Sequence, residues 1–226
     1  VSSNLLGLHL DGGMWFQSAE TTPDRSPAAQ DKFRAWVRER YVNDDVMLQA
    51  SWFDGSAKFD EITLPKVELR KEDRSILLER KQRPTVDAML FYSDQAMARI
   101  ADVAYSLKEA SEGWFLIGLE YGLSLEHPHP NSCHLSLGKV LRTPEIDFIS
   151  APSGYGSREP GQSAPFATMV DSFALNGKLF FSELDYKTSL ARGTEPDTHN
   201  VMLRTPQALE SVQNRDLGGV LGPYLV

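Results

Sequence analysis

A chain of 226 residues with 41% hydrophobic and 24% charged side chains is sized for one α/β domain with an ordinary core. Its net charge of -8 and pI of about 5.2 give no electrostatic support for binding nucleic acid, so no such partner is expected. No run reaches the roughly 18 apolar residues of a membrane span, so no membrane partner is expected, and the single Cys133 excludes an internal disulfide or a paired-cysteine metal site.

The sequence opens at Val1 with no signal-peptide pattern and enters almost at once a strand-like run, Leu5 to Leu10. That start reads as the interior of a fold, so the chain is expected to be part of a longer protein. Asp11-Gly12-Gly13 follows as a loop, then Ser26-Pro27 reads as an N-cap with proline at the first helical position. Phe33, Trp36, Val37 and Tyr41 continue that helix at three- and four-residue spacing. Residues 43–92 are less regular, with Trp52, Phe53, Pro65 and Pro84 among polar residues, and are expected to form a long excursion with short helices.

Ser93 or Asp94 is the expected cap of a second helix, with Met97, Ile100, Ala101, Ala104 and Leu107 on one face. Trp114 to Tyr121 reads as a second strand, and the proline-rich stretch Glu126 to Pro130 leads to a short helix over residues 134–141. A third strand runs from Ile146 to Ala151, followed by a glycine-rich loop over 153–161. Asn176-Gly177 then signals a turn into Lys178-Leu179-Phe180-Phe181-Ser182, an apolar run that stops abruptly at Glu183 and Asp185. A last helix is expected over 206–216, broken by Gly218-Gly219.

Short apolar runs alternating with helical segments argue for parallel strands buried on both faces. A closed parallel barrel has eight strands and about 250 residues. Four strand candidates therefore predict a partial TIM-barrel-like α/β fold occupying residues 1–226 as a single domain. Residues at the C-terminal tips of such strands face the active site, which singles out Glu183. In its simplest structural role, an acid at a strand end caps a neighbouring helix or pairs with Lys187.

The combination of Gly118-Leu119-Glu120-Tyr121-Gly122, His134-Leu135-Ser136-Leu137-Gly138, Pro144-Glu145-Ile146-Asp147-Phe148 and Asp171 to Lys178 leading into Glu183-Leu184-Asp185 resembles the second half of a glycoside hydrolase barrel. The segment Gln30 to Tyr41, with Trp52 and Phe59 after it, is similar to the one following strand four in family 42 β-galactosidases. The resemblance spans about residues 5–190 and implies retaining cleavage of β-linked sugars, with a nucleophilic glutamate at the end of strand seven and an acid/base glutamate after strand four. Motif to motif, Leu5 to Leu10 matches strand four and Glu183 falls at the nucleophile position. After strand four this sequence has Asp11-Gly12-Gly13-Met14-Trp15 with no glutamate, so Glu20 is the candidate proton donor and Asp11 the reserve.

Asp11, Trp15, Glu120, Tyr121, Tyr155, Arg158 and Asp185 are the candidate substrate-binding residues. Aromatic rings stack on sugar faces, and the polar groups bind hydroxyls. Trp114 is a further stacking candidate, whereas Phe33, Trp36 and Trp52 read as core. The catalytic residues expected are Glu183 and Glu20, with no cofactor. His127 and His129, with Glu126 or His134 as a third ligand, have loose metal spacing, but the flanking prolines favour a solvated loop. Gly154, Gly156 and Gly161 do not form a nucleotide-binding pattern, and no nucleophile elbow is present. The expected partners are a carbohydrate substrate and either further copies of the chain or the remainder of a longer one. An inactive glycan-binding barrel, lacking the acid/base, is the alternative.

Overall fold

The structure, a computed structural model, describes residues 5–10, 24–65, 82–122, 135–152, 166 and 168–183. Of these, residues 5–10, 99–122, 137–152, 166 and 168–183 belong to one compact unit, and residues 24–65, 82–98 and 135–136 to another.

The first unit is a parallel sheet of β1 (Gly7–Leu10), β2 (Leu116–Glu120), β3 (Phe148–Pro152) and β4 (Leu179–Glu183), in the order β1-β2-β3-β4. Parallel neighbours need crossovers. The second of them contains the helix Leu137–Arg142 and the third the helix Val170–Leu175, numbered α4 and α5 below. Strands that neighbour one another in chain order, joined through helices, are the construction of a (β/α) barrel. The fold is therefore α/β and TIM-barrel-like, a partial barrel of four parallel strands, as the alternation of runs predicts.

Strand pairing sets the two faces. The register aligns Leu10, Leu119, Ile149 and Phe180 in one row and Glu120, Ser150 and Phe181 in the next. Leu119, Ile149 and Phe180 are buried. Phe180 stacks on Phe173 of α5 at 6.0 Å, and Phe166 meets it edge-on at 5.6 Å. Each such side chain removed from water contributes about 1.5–3 kcal/mol.

Asp147, just before β3, ties the N-terminal ends of the strands together. Its carboxylate accepts from the Ile117 N–H and from Lys108 Nζ, both at 2.7 Å. Its carbonyl accepts from Leu179 N at 3.0 Å. Lys178 Nζ donates to the carbonyls of Thr143 and Ile146, each at 2.6 Å, and burial lowers its pKa.

The second unit contains α1 (Pro27–Arg40), α2 (Asp45–Trp52) and the first part of α3 (Arg83–Ala110). Ser26 caps α1 by accepting from Ala29 N at 3.3 Å, with Pro27 in the first turn, as its sequence predicts. Asp44 caps α2 through Val46 N and Met47 N. Phe33, Val37, Leu48, Trp52, Phe59, Leu64 and Phe91 form its core. The irregular backbone at residues 62–64 is satisfied by α1 side chains: Arg34 Nε donates to the Ile62 carbonyl at 3.0 Å, and Gln30 Oε1 accepts from Leu64 N at 2.7 Å.

The helix expected to start at Ser93 or Asp94 begins ten residues earlier, at Arg83. Pro84 sits in its first turn, where a proline costs no hydrogen bond. The two polar residues that mimic a cap serve other partners. Ser93 Oγ donates to Ser136 Oγ at 2.9 Å and accepts from Leu135 N, while Asp94 accepts from Trp36 Nε1 at 2.9 Å and Ser136 Oγ at 2.7 Å. Residues 206–216, expected as a last helix, and the loops over 126–130 and 153–161 lie outside the described residues. Among the described residues no helix is long and apolar enough to cross a membrane.

Candidate active site

The C-terminal ends of the strands and the sheet face opposite the α5 packing define the candidate site, all within the first unit. The row at this face is His9, Gly118, Phe148 and Leu179, followed one level higher by Glu120, Ser150 and Phe181. Phe148 meets Phe181 edge-on at 4.8 Å and lies nearly parallel to His9 at 6.0 Å. These rings reach across β2 because residue 118 is glycine. A Cβ there would lie 2.0 Å from the Phe148 ring.

Gly118→Ala is accordingly expected to lower stability by about 1–3 kcal/mol through overpacking. Urea titrations check it, and Phe148→Ala in the same chain should recover part of the loss because the two sites share one space.

His9 is exposed, and its Nε2 shares a 2.6 Å hydrogen bond with Ser150 Oγ. Ser150 is 2% exposed, so its hydroxyl is a fixed partner. Glu120 closes β2, half-buried beside Ser150 in register. Glu183 closes β4, paired with Pro152 and two positions past Phe181. Two glutamates thus end two of the four strands at the same end of the sheet, where parallel α/β folds place their chemistry.

Tyr121, expected at a subsite wall, is instead fully buried. It follows β2 by one residue, so alternation turns it to the opposite face, where its ring meets Phe173 edge-on at 6.4 Å. Burial raises its pKa far above the ordinary phenol value, while a hydrogen bond to the Leu137 backbone works against that shift. The phenol is a neutral core group. Trp114, a stacking candidate, is 83% exposed but precedes β2, at the strand's N-terminal side and away from the chain ends that carry Glu120 and Glu183. Asp11, Trp15, Glu20, Tyr155, Arg158, Asp185 and the histidines at 127, 129 and 134 lie outside the described residues.

His9, Phe148 and Ser150 are the residues of this face that sequence reading missed. Their signal is alternation: His9 is the one polar residue of its strand, and Ser150 interrupts an apolar one. Among the described residues no group of three His, Cys, Asp or Glu side chains is placed to hold a metal ion.

No protein-family model matches the chain, and no curated protein matches it. Solved structures do. The catalytic domain of a β-amylase from Paenibacillus polymyxa superposes with a TM-score of 0.54 at 12% identity, covering 81% of this chain and 51% of that one. A β-galactosidase from the psychrophilic Marinomonas ef1 gives 0.41 at 22% identity over 61% of this chain and 19% of that one. A GH42 β-galactosidase, Gan42B, gives 0.44 at 18% identity over 70% and 22%. The likeness to the β-amylase domain is one of fold, and the chain spans between about a fifth and a half of these three chains.

Proposed function

We propose that the chain is the catalytic half of a glycoside hydrolase barrel that cleaves β-linked sugars with retention of configuration. The observation that carries the reading is the position of Glu183, the last residue of β4 at the C-terminal end of a parallel sheet. A fold shared with the β-amylase catalytic domain supports it, and so does the sequence resemblance to family 42 β-galactosidases.

In this mechanism the Glu183 carboxylate attacks the anomeric carbon, forming a glycosyl-enzyme as the leaving oxygen departs. A second carboxyl group, Glu20 with Asp11 in reserve, gives its proton to that oxygen. It then takes a proton from the water that releases the sugar. Glu183 must be ionised at the start, and the proton donor must be held neutral by burial, with Trp15 and Phe16 beside Glu20 in sequence to supply it. Asp11, Trp15, Glu120, Tyr155, Arg158 and Asp185 are the proposed sugar contacts. No cofactor enters the scheme.

Proton NMR of 4-nitrophenyl β-D-galactoside hydrolysis tests it. Retention gives β-galactose as the first product. First appearance of the α-anomer would replace the mechanism with a single displacement. The second reading, an inactive glycan-binding barrel, is favoured by Asp11-Gly12-Gly13-Met14 after β1, which holds no glutamate. It predicts sugar binding with no phenol released.

A further inference from the structure

Among the described residues of the sheet, His9 is an exposed polar side chain that the structure holds in place. Two features fix it, a stack made possible by a glycine and a hydrogen bond to a buried hydroxyl. Its neighbour across β2 is Gly118, where even a methyl group would strike the Phe148 ring at 2.0 Å. The imidazole therefore lies against Phe148 itself, 24° from parallel at 6.0 Å. A serine buried to 2% exposure takes its Nε2 at 2.6 Å. A side chain held by stacking and by a buried hydroxyl has already lost the rotamer freedom that a ligand contact would otherwise cost. The ring nevertheless stays exposed, one residue before the end of β1 and one level below Glu120 on the same face, in the row that Leu179 continues on β4.

We propose that His9 is a substrate-binding residue that hydrogen-bonds a sugar hydroxyl, with Ser150 as the positioning residue that sets its ring orientation. The inference rests on the glycosidase reading for the identity of the ligand. A neutral polyhydroxyl compound suits the chemistry. An imidazole donates or accepts according to its tautomer, Phe148 and Phe181 offer apolar surface beside it for the C–H face of a pyranose, and a chain of net charge -8 repels anions.

The test is hydrolysis of 4-nitrophenyl β-D-galactoside by the whole chain and by His9→Ala, His9→Phe and Ser150→Ala. His9→Phe keeps the stacking on Phe148 and removes only the hydrogen-bonding nitrogens, so it guards against a folding artefact. Both His9 variants are expected to lose about tenfold in kcat/KM, chiefly through KM, with the unfolding midpoint of His9→Phe unchanged. Ser150→Ala is expected to lose about threefold. Activity in the wild type with kcat/KM of His9→Phe within twofold of it would overturn the assignment while leaving the hydrolase reading intact.

A wild type that hydrolyses nothing defeats the hydrolase reading, and binding then decides the role of His9. In a chain labelled at its histidine ring carbons, the His9 resonance, identified by its loss in His9→Ala, is expected to shift on adding galactose or glucose. No shift with either sugar at up to about 100 mM, a hundredfold above a millimolar Kd, would overturn the proposal.

Discussion

Glu183→Gln is expected to lower kcat/KM on 4-nitrophenyl β-D-galactoside by at least about 10^3-fold, with the unfolding midpoint unchanged. The amide occupies the same volume at the end of β4 but cannot form the glycosyl ester. The loss therefore falls on the chemical step and is expected in kcat. Adding azide to Glu183→Ala sharpens the assignment. A small anion entering the vacated space attacks the anomeric carbon as nitrophenolate leaves, giving an α-galactosyl azide and restored phenol release. A β-azide would assign Glu183 to proton transfer, and no rescue with full retention of activity would remove it from the site.

The largest effect on stability is expected at Asp87, far in sequence from the proposed chemistry. Its carboxylate is fully buried and accepts from Tyr41 Oη at 2.5 Å, Trp52 Nε1 at 2.8 Å and Arg83 Nε at 3.0 Å, and it forms an ion pair with Arg40 at 3.2 Å. These partners come from α1, α2 and α3 and from Tyr41, which follows α1. One carboxylate thus joins three helices of the second unit. Asp87→Ala strands a buried hydroxyl and a buried indole N–H and leaves two guanidinium groups facing one another. Breaking such a cluster from one side costs about 3–5 kcal/mol. The lower end is expected here, because Arg40 and Arg83 keep 34% and 37% of their side chains exposed and regain water. That is a large share of the roughly 5–15 kcal/mol available to a domain, and urea unfolding measures it.

The same cluster sets a pH response. Burial, and then Asp87, raise the Tyr41 pKa above its ordinary 10.0, and burial raises that of Tyr121. The folded state therefore holds these protons more tightly than the unfolded one. Their stabilisation is complete below about pH 10 and is lost as pH rises above it. Removing Asp87 should weaken the part that belongs to Tyr41.

The strands of this chain are legible because each is a short, mostly apolar run between turn signals or helical segments. Their boundaries shift by one or two residues, as at Leu116–Glu120 for the predicted Trp114 to Tyr121. Glu183 was legible for the same reason, since an apolar run that ends in an acid marks a strand tip. The beginning of α3 was hidden. Arg83, Pro84 and Asp87 look like loop sequence, and only the folded chain brings three donors and the Arg40 guanidinium to Asp87. Tyr121 is adjacent to Glu120 in sequence, but one step of the pleat turns it to the other side of the sheet. Nothing local in the sequence distinguishes a strand histidine that bonds to Ser150, 141 residues away, from one that does not. Contacts of that range exist only after the strands have paired.

Covalent trapping tests the central claim most directly. The whole chain is incubated with 2,4-dinitrophenyl 2-deoxy-2-fluoro-β-D-galactoside, whose fluorine slows hydrolysis of the glycosyl-enzyme, then digested and mapped by mass spectrometry. The account predicts one added fluorogalactosyl group, on the peptide containing Lys178 to Asp185 and on Glu183 within it. An adduct on any other carboxylate, or turnover of the unfluorinated substrate with no adduct at all, would contradict it.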